Sequence, residues 1–315
     1  MIALFVVQLA VPIALLGWMI IRPARSAVGL ATQLVGSLLA LAGIAHIGLW
    51  LFPPWWLPHG AAAGIVMAAM WHASRRTSRA MRPQRAVGWM GVAALAGLGA
   101  LGAALAVRAR LAGQPPAGSA AFDLAFPLAS GRYLVANGGT WLVINAHRAS
   151  MDSTDVHLRP WRGNGHAVDI VAIDALGLRT RGVLPADPAA YRIFGVAVLA
   201  PCAGSVIATA DGLPDMRVPE YDRANMAGNH VMLDCNGVHV VLAHLKRGTV
   251  GVTVGERTAT GDVIGAVGNS GGTSEPHLHI HAQRPGPPGA PMGGDPLPIR
   301  LDSGFLARGD RVHVK

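Results

Sequence analysis

The segment richest in reactive side chains is Glu275-Pro276-His277-Leu278-His279-Ile280-His281. In a β-strand side chains alternate between faces, so His277, His279 and His281 project together while Leu278 and Ile280 enter a core on the other side. Three imidazoles on one face are rarely structural, and zinc takes neutral imidazole nitrogens and carboxylate oxygens. A carboxylate is offered by Val168-Asp169-Ile170-Val171, where one acid stands in an apolar strand and needs a partner or a metal. Val241-Leu242-Ala243-His244-Leu245 adds a histidine at the end of an apolar run. A catalytic zinc site uses three protein ligands and a water, so these segments supply candidate donors for one ion.

The elements that must position these groups are short β-branched runs punctuated by Gly, Asn and Asp. Strands are expected at Trp141 to Asn145, Ala167 to Ala172, Pro201 to Ala208, His230 to Leu233, Val238 to Leu242, Val263 to Val267 and Leu278 to Ala282. Asp211-Gly212 and Asn236-Gly237 read as tight turns between strands. The pattern predicts an antiparallel sheet or sandwich over residues 121–315, preceded by a linker over 113–120 that contains Gln114-Pro115-Pro116. The chain's two cysteines, Cys202 and Cys235, fall on core strands, where a disulfide and two buried thiols are both open readings. Neither reading makes a nucleophile of them, although His230 and His239 lie nearby in sequence.

Residues 1–112 differ in kind. The whole chain is 51% hydrophobic and 14% charged, too apolar for an ordinary soluble protein. This first part has no Asp or Glu, and its charges are nine arginines: Arg22, Arg25, Arg75, Arg76, Arg79, Arg82, Arg85, Arg108 and Arg110. Removing those nine from the 26 basic residues leaves 17, equal to the 17 acidic ones, so the second part has no net charge to attract nucleic acid. Four stretches suit transmembrane helices: Ile2 to Ile21, Ala27 to Phe52, His59 to Ala73 and Ala86 to Val107. The third is the weakest, being short with His59 and His72 near its ends. The first lacks the basic leader of a cleaved signal peptide and is read as a retained helix.

Cytoplasmic loops retain Lys and Arg. The connections at Arg22 and Arg25 and from Arg75 to Arg85 are basic, whereas Pro53-Pro54-Trp55-Trp56 is not. The expectation is a multi-pass protein of the cytoplasmic (inner) membrane with both termini and the C-terminal domain on the extracytoplasmic, periplasmic side. Arg108 and Arg110 weigh mildly against that orientation. His46, within the second span, reads as a neutral imidazole hydrogen-bonded between helices. Small residues around Gly91, Gly97 and Gly99 offer a dimerisation surface, and the oligomeric state is left open.

In order along the second part stand Ala167-Val168-Asp169-Ile170, Ala200-Pro201-Cys202-Ala203-Gly204-Ser205-Val206, Gly228-Asn229-His230-Val231 and Ala243-His244-Leu245. Val254-Gly255, Thr260-Gly261, Ile264-Gly265, Gly268-Asn269-Ser270-Gly271 and His277-Leu278-His279 follow. Together these resemble the lysostaphin/LytM-type zinc peptidases, in a membrane-anchored branch where an Asn-x-His element precedes an Ala-x-Asp strand by an insertion. The resemblance implies the mainly-β, duplicated-hybrid-motif type of fold, one Zn2+, metal ligation by Asp169 and His279, and catalytic roles for His244 and His277. The third ligand of the family is a histidine four residues before the aspartate, and here that position is Gly165. His147 is favoured to replace it. His166 is the alternative, although three residues from Asp169 it would face the other way in an extended strand. His157 is a distant third, and His230, His239 and His313 read as strand or tail residues. Leu242 stands where the family often has a tyrosine, and His281 where a glutamate is common, so His281 is a candidate partner for a ligand imidazole.

The resemblance implies a membrane-embedded zinc metalloendopeptidase acting on cell-wall peptide, in stem peptides or cross-links of peptidoglycan. Loss of the usual ligand at Gly165 motivates an alternative: a catalytically silent domain that binds cell-wall peptide or regulates another hydrolase. A zinc-storage or sensing membrane protein is a third reading, disfavoured because the spans lack ligand clusters.

Overall fold

Helices occupy all four apolar N-terminal stretches: α1 (Ile2–Ile21), α2 (Ala27–Ile47), α3 (Leu57–Ser74) and α4 (Ala86–Ala112). The structure, a computed structural model, describes residues 2–75, 80–152, 154–302 and 304–315, with the side chains of residues 2–5 outside the description. Arg76 and Arg79 of the basic connection therefore lie outside the described residues. By length and apolarity, α2 and α4 are able to cross a membrane, and the apolar segment Val6–Ile21 of α1 is shorter. Ser26 caps α2 by accepting from Gly29 N at 3.0 Å. The second stretch ends as a helix at Ile47 rather than running to Phe52, and Trp50 and Leu51 beyond it are buried.

His46 joins two helices as expected: Nδ1 donates to Ala42 O at 2.8 Å, and Nε2 accepts from Arg110 Nε at 3.2 Å. Glycine contacts at the expected dimerisation surface are partly used within the chain. A Cβ on Gly99 would meet Gly36 Cα at 2.9 Å, so Gly99 lets α4 approach α2, while a Cβ on Gly91 or Gly97 would meet none of the described residues of other elements within 4 Å.

The chain divides into two units, Met1–Leu111 and Ala112–Lys315. The second unit contains β1 (Phe122–Leu124), β2 (Gly131–Asn137), β3 (Val168–Ala172), β4 (Ala197–Leu199), β5 (Gly204–Ala210), β6 (Asn229–Cys235) and β7 (Val238–Leu245). Then come β8 (Arg257–Thr258), β9 (Val263–Ala266), β10 (Leu278–Gln283), β11 (Pro296–Leu297), β12 (Ile299–Leu301) and β13 (Arg311–Val314). Among the described residues the main sheet runs β13-β2-β3-β10-β7-β6-β5-β8, with β11 paired to the end of β10. Its pairings are antiparallel. β4 and β9 form a separate antiparallel pair, and β1 with β12 a parallel one.

Alternation places the core on one face of this sheet. Val168 and Ile170 of β3, Val240 and Leu242 of β7, and Leu278, Ile280 and Ala282 of β10 all enter one apolar cluster. The opposite face of the same three strands carries Asp169, Val241, Ala243 and His279. The β6–β7 hairpin turns at Asn236 and Gly237, both at positive φ (57° and 81°), as a two-residue Asn-Gly connection requires. Asp211-Gly212 is no hairpin. It opens the 211–228 loop, and the Asp211 carboxylate accepts from Gly248 N at 2.7 Å and Val250 N at 3.3 Å. Cys202 and Cys235 form a disulfide, with Cys202 on the connection before β5.

Trp141 to Asn145 is a turn, not a strand: Ile144 N and Asn145 N both donate to Trp141 O, at 3.0 and 2.9 Å. Its β-branched composition misleads because Leu142 and Val143 are exposed and, of its apolar residues, only Ile144 is buried. The strand that pairs with β3 lies earlier, at β2.

Candidate metal centre

His279 sits where three strands meet. Its backbone is in register with Asp169 on β3 and Ala243 on β7. Side chains directly opposite across a strand pair share a face, so the register alone brings His279 to Asp169, and Nδ1 lies 3.0 Å from Asp169 Oδ1.

His147 arrives from outside the sheet, on a short 3-10 turn over Ala146–Met151. Asn145 anchors that turn. Its Oδ1 accepts from His147 N at 3.2 Å, and its Nδ2 donates to Gly139 O and Ala167 O, both at 3.0 Å. The Asn-x-His element is thus pinned to the residue that opens the Ala-x-Asp strand, and His147 Nε2 reaches Asp169 Oδ2 at 2.9 Å. Ligand atoms of His147, Asp169 and His279 all lie within 4.8 Å of one another.

His166 goes elsewhere. It closes the 3-10 turn Arg159–His166, and its ring faces Arg148, with Nη1 3.2 Å from Nε2. Burial first, and the Arg148 charge second, push its pKa down to about 4. A side chain at Gly165 would have to displace its neighbours, since a Cβ there would meet Met151 Cγ at 2.6 Å and Pro296 Cγ at 3.1 Å. His157 is exposed in the loop between the two turns.

His244 reaches the site through a backbone irregularity. By simple alternation it would follow Val240 and Leu242 into the core. Instead it adopts φ +63°, the β6–β7 register shifts beside it, and Leu245 rather than His244 enters the core. A bulge of this kind re-aims a side chain, and such strain gathers at functional sites. The Gly268-Asn269-Ser270-Gly271 motif receives the side chain: His244 Nδ1 donates to Ser270 O at 2.9 Å. Ser270 Oγ in turn accepts from Asn229 N at 2.9 Å and donates to Leu245 O at 2.7 Å. His277 Nδ1 donates to Glu275 O at 2.9 Å, and the Glu275 carboxylate is held by Arg179 in a buried bidentate pair at 2.8 and 2.7 Å. The His244 and His277 rings are 4.8 Å apart.

Electrostatics follow from this crowding. Burial would raise the Asp169 carboxyl, but the facing His147 and His277, with ring nitrogens of His147 and His279 at hydrogen-bond distance, hold it well below the usual carboxylate range. Asn137 Nδ2 also donates to Asp169 Oδ2 at 2.9 Å, and Arg308 Nη2 donates to Asn137 Oδ1 at 2.8 Å. Burial lowers His147, yet Asp169 outweighs it and the net shift is upward. Burial dominates for His279, which falls to about 4, and for His244, which is held well below the ordinary imidazole value.

Asn137, Arg179 and Arg308 were not among the residues singled out by sequence. Their contacts span 32, 96 and 171 residues, and no local pattern marks them. Leu242 is fully buried on the core face, so the tyrosine position of the resemblance points away from the metal-ligand cluster. A cavity of about 250 Å³ opens over the cluster, lined by His147, His244, His279 and His281 with Trp161, Tyr221, Met226 and Met292.

Residues 192–291 match the profile described as peptidase family M23. That segment is therefore similar to the M23 peptidases. The matched segment contains His244, His277 and His279, while Asp169 and His147 precede it. Among solved structures, the catalytic domain of lysostaphin from Staphylococcus simulans is 21% identical, over 38% of this chain and 70% of that one, with a TM-score of 0.25. A zinc-containing peptidase from Vibrio cholerae is 18% identical over 37% of this chain and 46% of that one, with a TM-score of 0.23. Helicobacter pylori Csd3 is 15% identical over 62% and 36%, with a TM-score of 0.30. Apart from the lysostaphin domain, the chain spans less than half the length of these relatives. Comparison with curated proteins gave no match.

Proposed function

We propose that the chain is a membrane-anchored zinc metalloendopeptidase that hydrolyses peptide bonds in peptidoglycan stem peptides or cross-links. The observation carrying this reading is the convergence of His147, Asp169 and His279, with ligand atoms within 4.8 Å, beside two histidines whose Nδ1 atoms are already committed to backbone carbonyls.

The donor set fits zinc, because two imidazole nitrogens and one carboxylate oxygen are the ligand chemistry of a catalytic site with a position left for water. Zinc held there would lower the pKa of a bound water from 15.7 to about 7. His147, Asp169 and His279 are therefore assigned as the ligands. With Nδ1–H donated to Ser270 O, neutral His244 exposes its lone pair at Nε2, and His277, donating to Glu275 O, does the same. One of these Nε2 atoms accepts the proton of the attacking water and returns it to the leaving nitrogen. For the other to donate to the carbonyl oxygen that gains negative charge, it would take up a proton from solvent at Nε2 and act as the imidazolium. The burial that lowers His244 favours a neutral ring able to accept a proton.

Membrane attachment rests on the apolar helices, and we read all four as spans with the peptidase domain on the periplasmic side, where peptidoglycan would be met. The test is metal analysis of the purified full-length chain in detergent, paired with cleavage of isolated cell wall with and without chelator. Bound zinc with chelator-sensitive cleavage is expected. Wall binding without zinc or cleavage would replace the enzyme by a silent peptide-binding domain.

A further inference from the structure

Beyond His279, alternation along β10 places His281 and Gln283 on the same face. His279 Nε2 lies 2.9 Å from His281 Nδ1, with both rings buried. The Gln283 amide is fixed by two carbonyls: Nε2 donates to Pro291 O at 2.7 Å and to Arg284 O at 3.2 Å. Its Oε1 therefore takes the other direction and only accepts. Gly163 leaves room for that oxygen, since a Cβ at Gly163 would overlap it. His281 Nε2 and Gln283 Oε1 are both buried and short of a formed hydrogen bond, yet Gln283 is near enough to perturb the ring.

An acceptor at Gln283 Oε1 calls for the proton of His281 to sit on Nε2. A neutral imidazole carries a single N–H, so His281 Nδ1 is then a lone pair and must receive Nε2–H of His279. The reverse order would set the lone pair of His281 Nε2 against the carbonyl oxygen of Gln283, in a buried site where the described residues offer neither atom a formed hydrogen bond. Once His279 commits its proton to Nε2, its Nδ1 and Asp169 Oδ1 are two lone-pair atoms 3.0 Å apart. Such a pair needs a cation between or beside them.

We propose that the Pro291 carbonyl, acting through Gln283 and His281, fixes His279 in the tautomer that presents Nδ1 to a divalent cation. His281 and Gln283 are positioning residues; neither touches the ion. A ligand imidazole ordinarily donates its second nitrogen to a carboxylate, backbone carbonyl or water. Here a second imidazole, itself oriented from behind, takes that place. The inference rests on the metal site proposed above.

The test measures zinc affinity of the full-length chain in detergent by competition with a chelating dye, comparing His281→Leu, His281→Asn and Gln283→Leu. Loss of such an outer partner typically weakens metal binding about 10–100-fold, which is expected for His281→Leu, with a smaller loss for Gln283→Leu. His281→Asn places an acceptor oxygen where Nδ1 stood and restores binding. Melting curves recorded without zinc identify any variant that fails to fold. Unchanged affinity in a folded His281→Leu, or equal weakness in a folded His281→Asn, would overturn the inference while leaving the ligand set standing. Absence of zinc binding by the unmodified chain would overturn the ligand set, and this inference with it.

Discussion

Replacing His147 by Ala and, separately, His166 by Ala tests which histidine fills the place that Gly165 leaves empty. His147 Nε2 lies 2.9 Å from Asp169 Oδ2, within the group whose ligand atoms span no more than 4.8 Å. Structural zinc sites with four ligands bind with about 10–16 kcal/mol, or roughly 2.5–4 kcal/mol per ligand. At about 1.4 kcal/mol per decade, removing His147 weakens zinc binding on the order of 10²- to 10³-fold. Removing His166 takes away a ring that faces Arg148 rather than Asp169, and affinity stays as it was. The assay is competition titration of zinc on the full-length chain, with metal-free melting as a control. That control matters because His147→Ala also strips a hydrogen bond from a buried carboxylate, a cost of about 1–3 kcal/mol. Zinc lost in His166→Ala but kept in His147→Ala would refute the assignment and the geometric reasoning behind it.

Three further outcomes follow from the same geometry. His244→Ala and His277→Ala each lower kcat by about 10²- to 10⁴-fold while zinc content, measured by metal analysis, is retained; loss of zinc in either would make that histidine a ligand. The chelated chain melts at lower temperature at pH 5 than at pH 7.5. His166 and His279 are held down to about 4, so between that value and about 6.5 the unfolded chain binds protons that the fold refuses, and stability falls with pH. His147, raised by Asp169, contributes in the opposite sense, its stabilisation being lost as pH rises through its elevated value; Asp169 matters only in stronger acid. Equal melting at the two pH values would contradict the balance. Reducing the Cys202–Cys235 bridge, which closes a separation of 33 residues, destabilises by about 4 kcal/mol on loop-closure grounds. Denaturant midpoints with and without reductant measure this, and coincident midpoints would show that the bridge is not formed.

Much of the site is set by short-range pattern. Strict alternation in His277-Leu278-His279-Ile280-His281 and in Val168-Asp169-Ile170 dictates which side chains leave the core, because a strand has a period of two and the apolar members must be buried. The helical stretches are equally local, as composition alone marks apolar runs of that length. Where local pattern failed, long-range contacts had overridden it. Trp141 to Asn145 has strand composition, yet Asn145 is bonded to Gly139 and Ala167, and the segment turns back to deliver His147.

The sequence by itself determined the chemistry available: imidazoles and one carboxylate on alternating positions, and the absence of a side chain at Gly165. Tertiary structure decided which groups meet. The choice of His147 over His166 depends on a 3-10 turn anchored across 22 residues, and the placement of His244 on a bulge at φ +63° that breaks the alternation its sequence implies. Periodicity assigns a face only while the ladder is regular; a turn anchored from afar and a bulge are properties of the folded chain, not of any short segment.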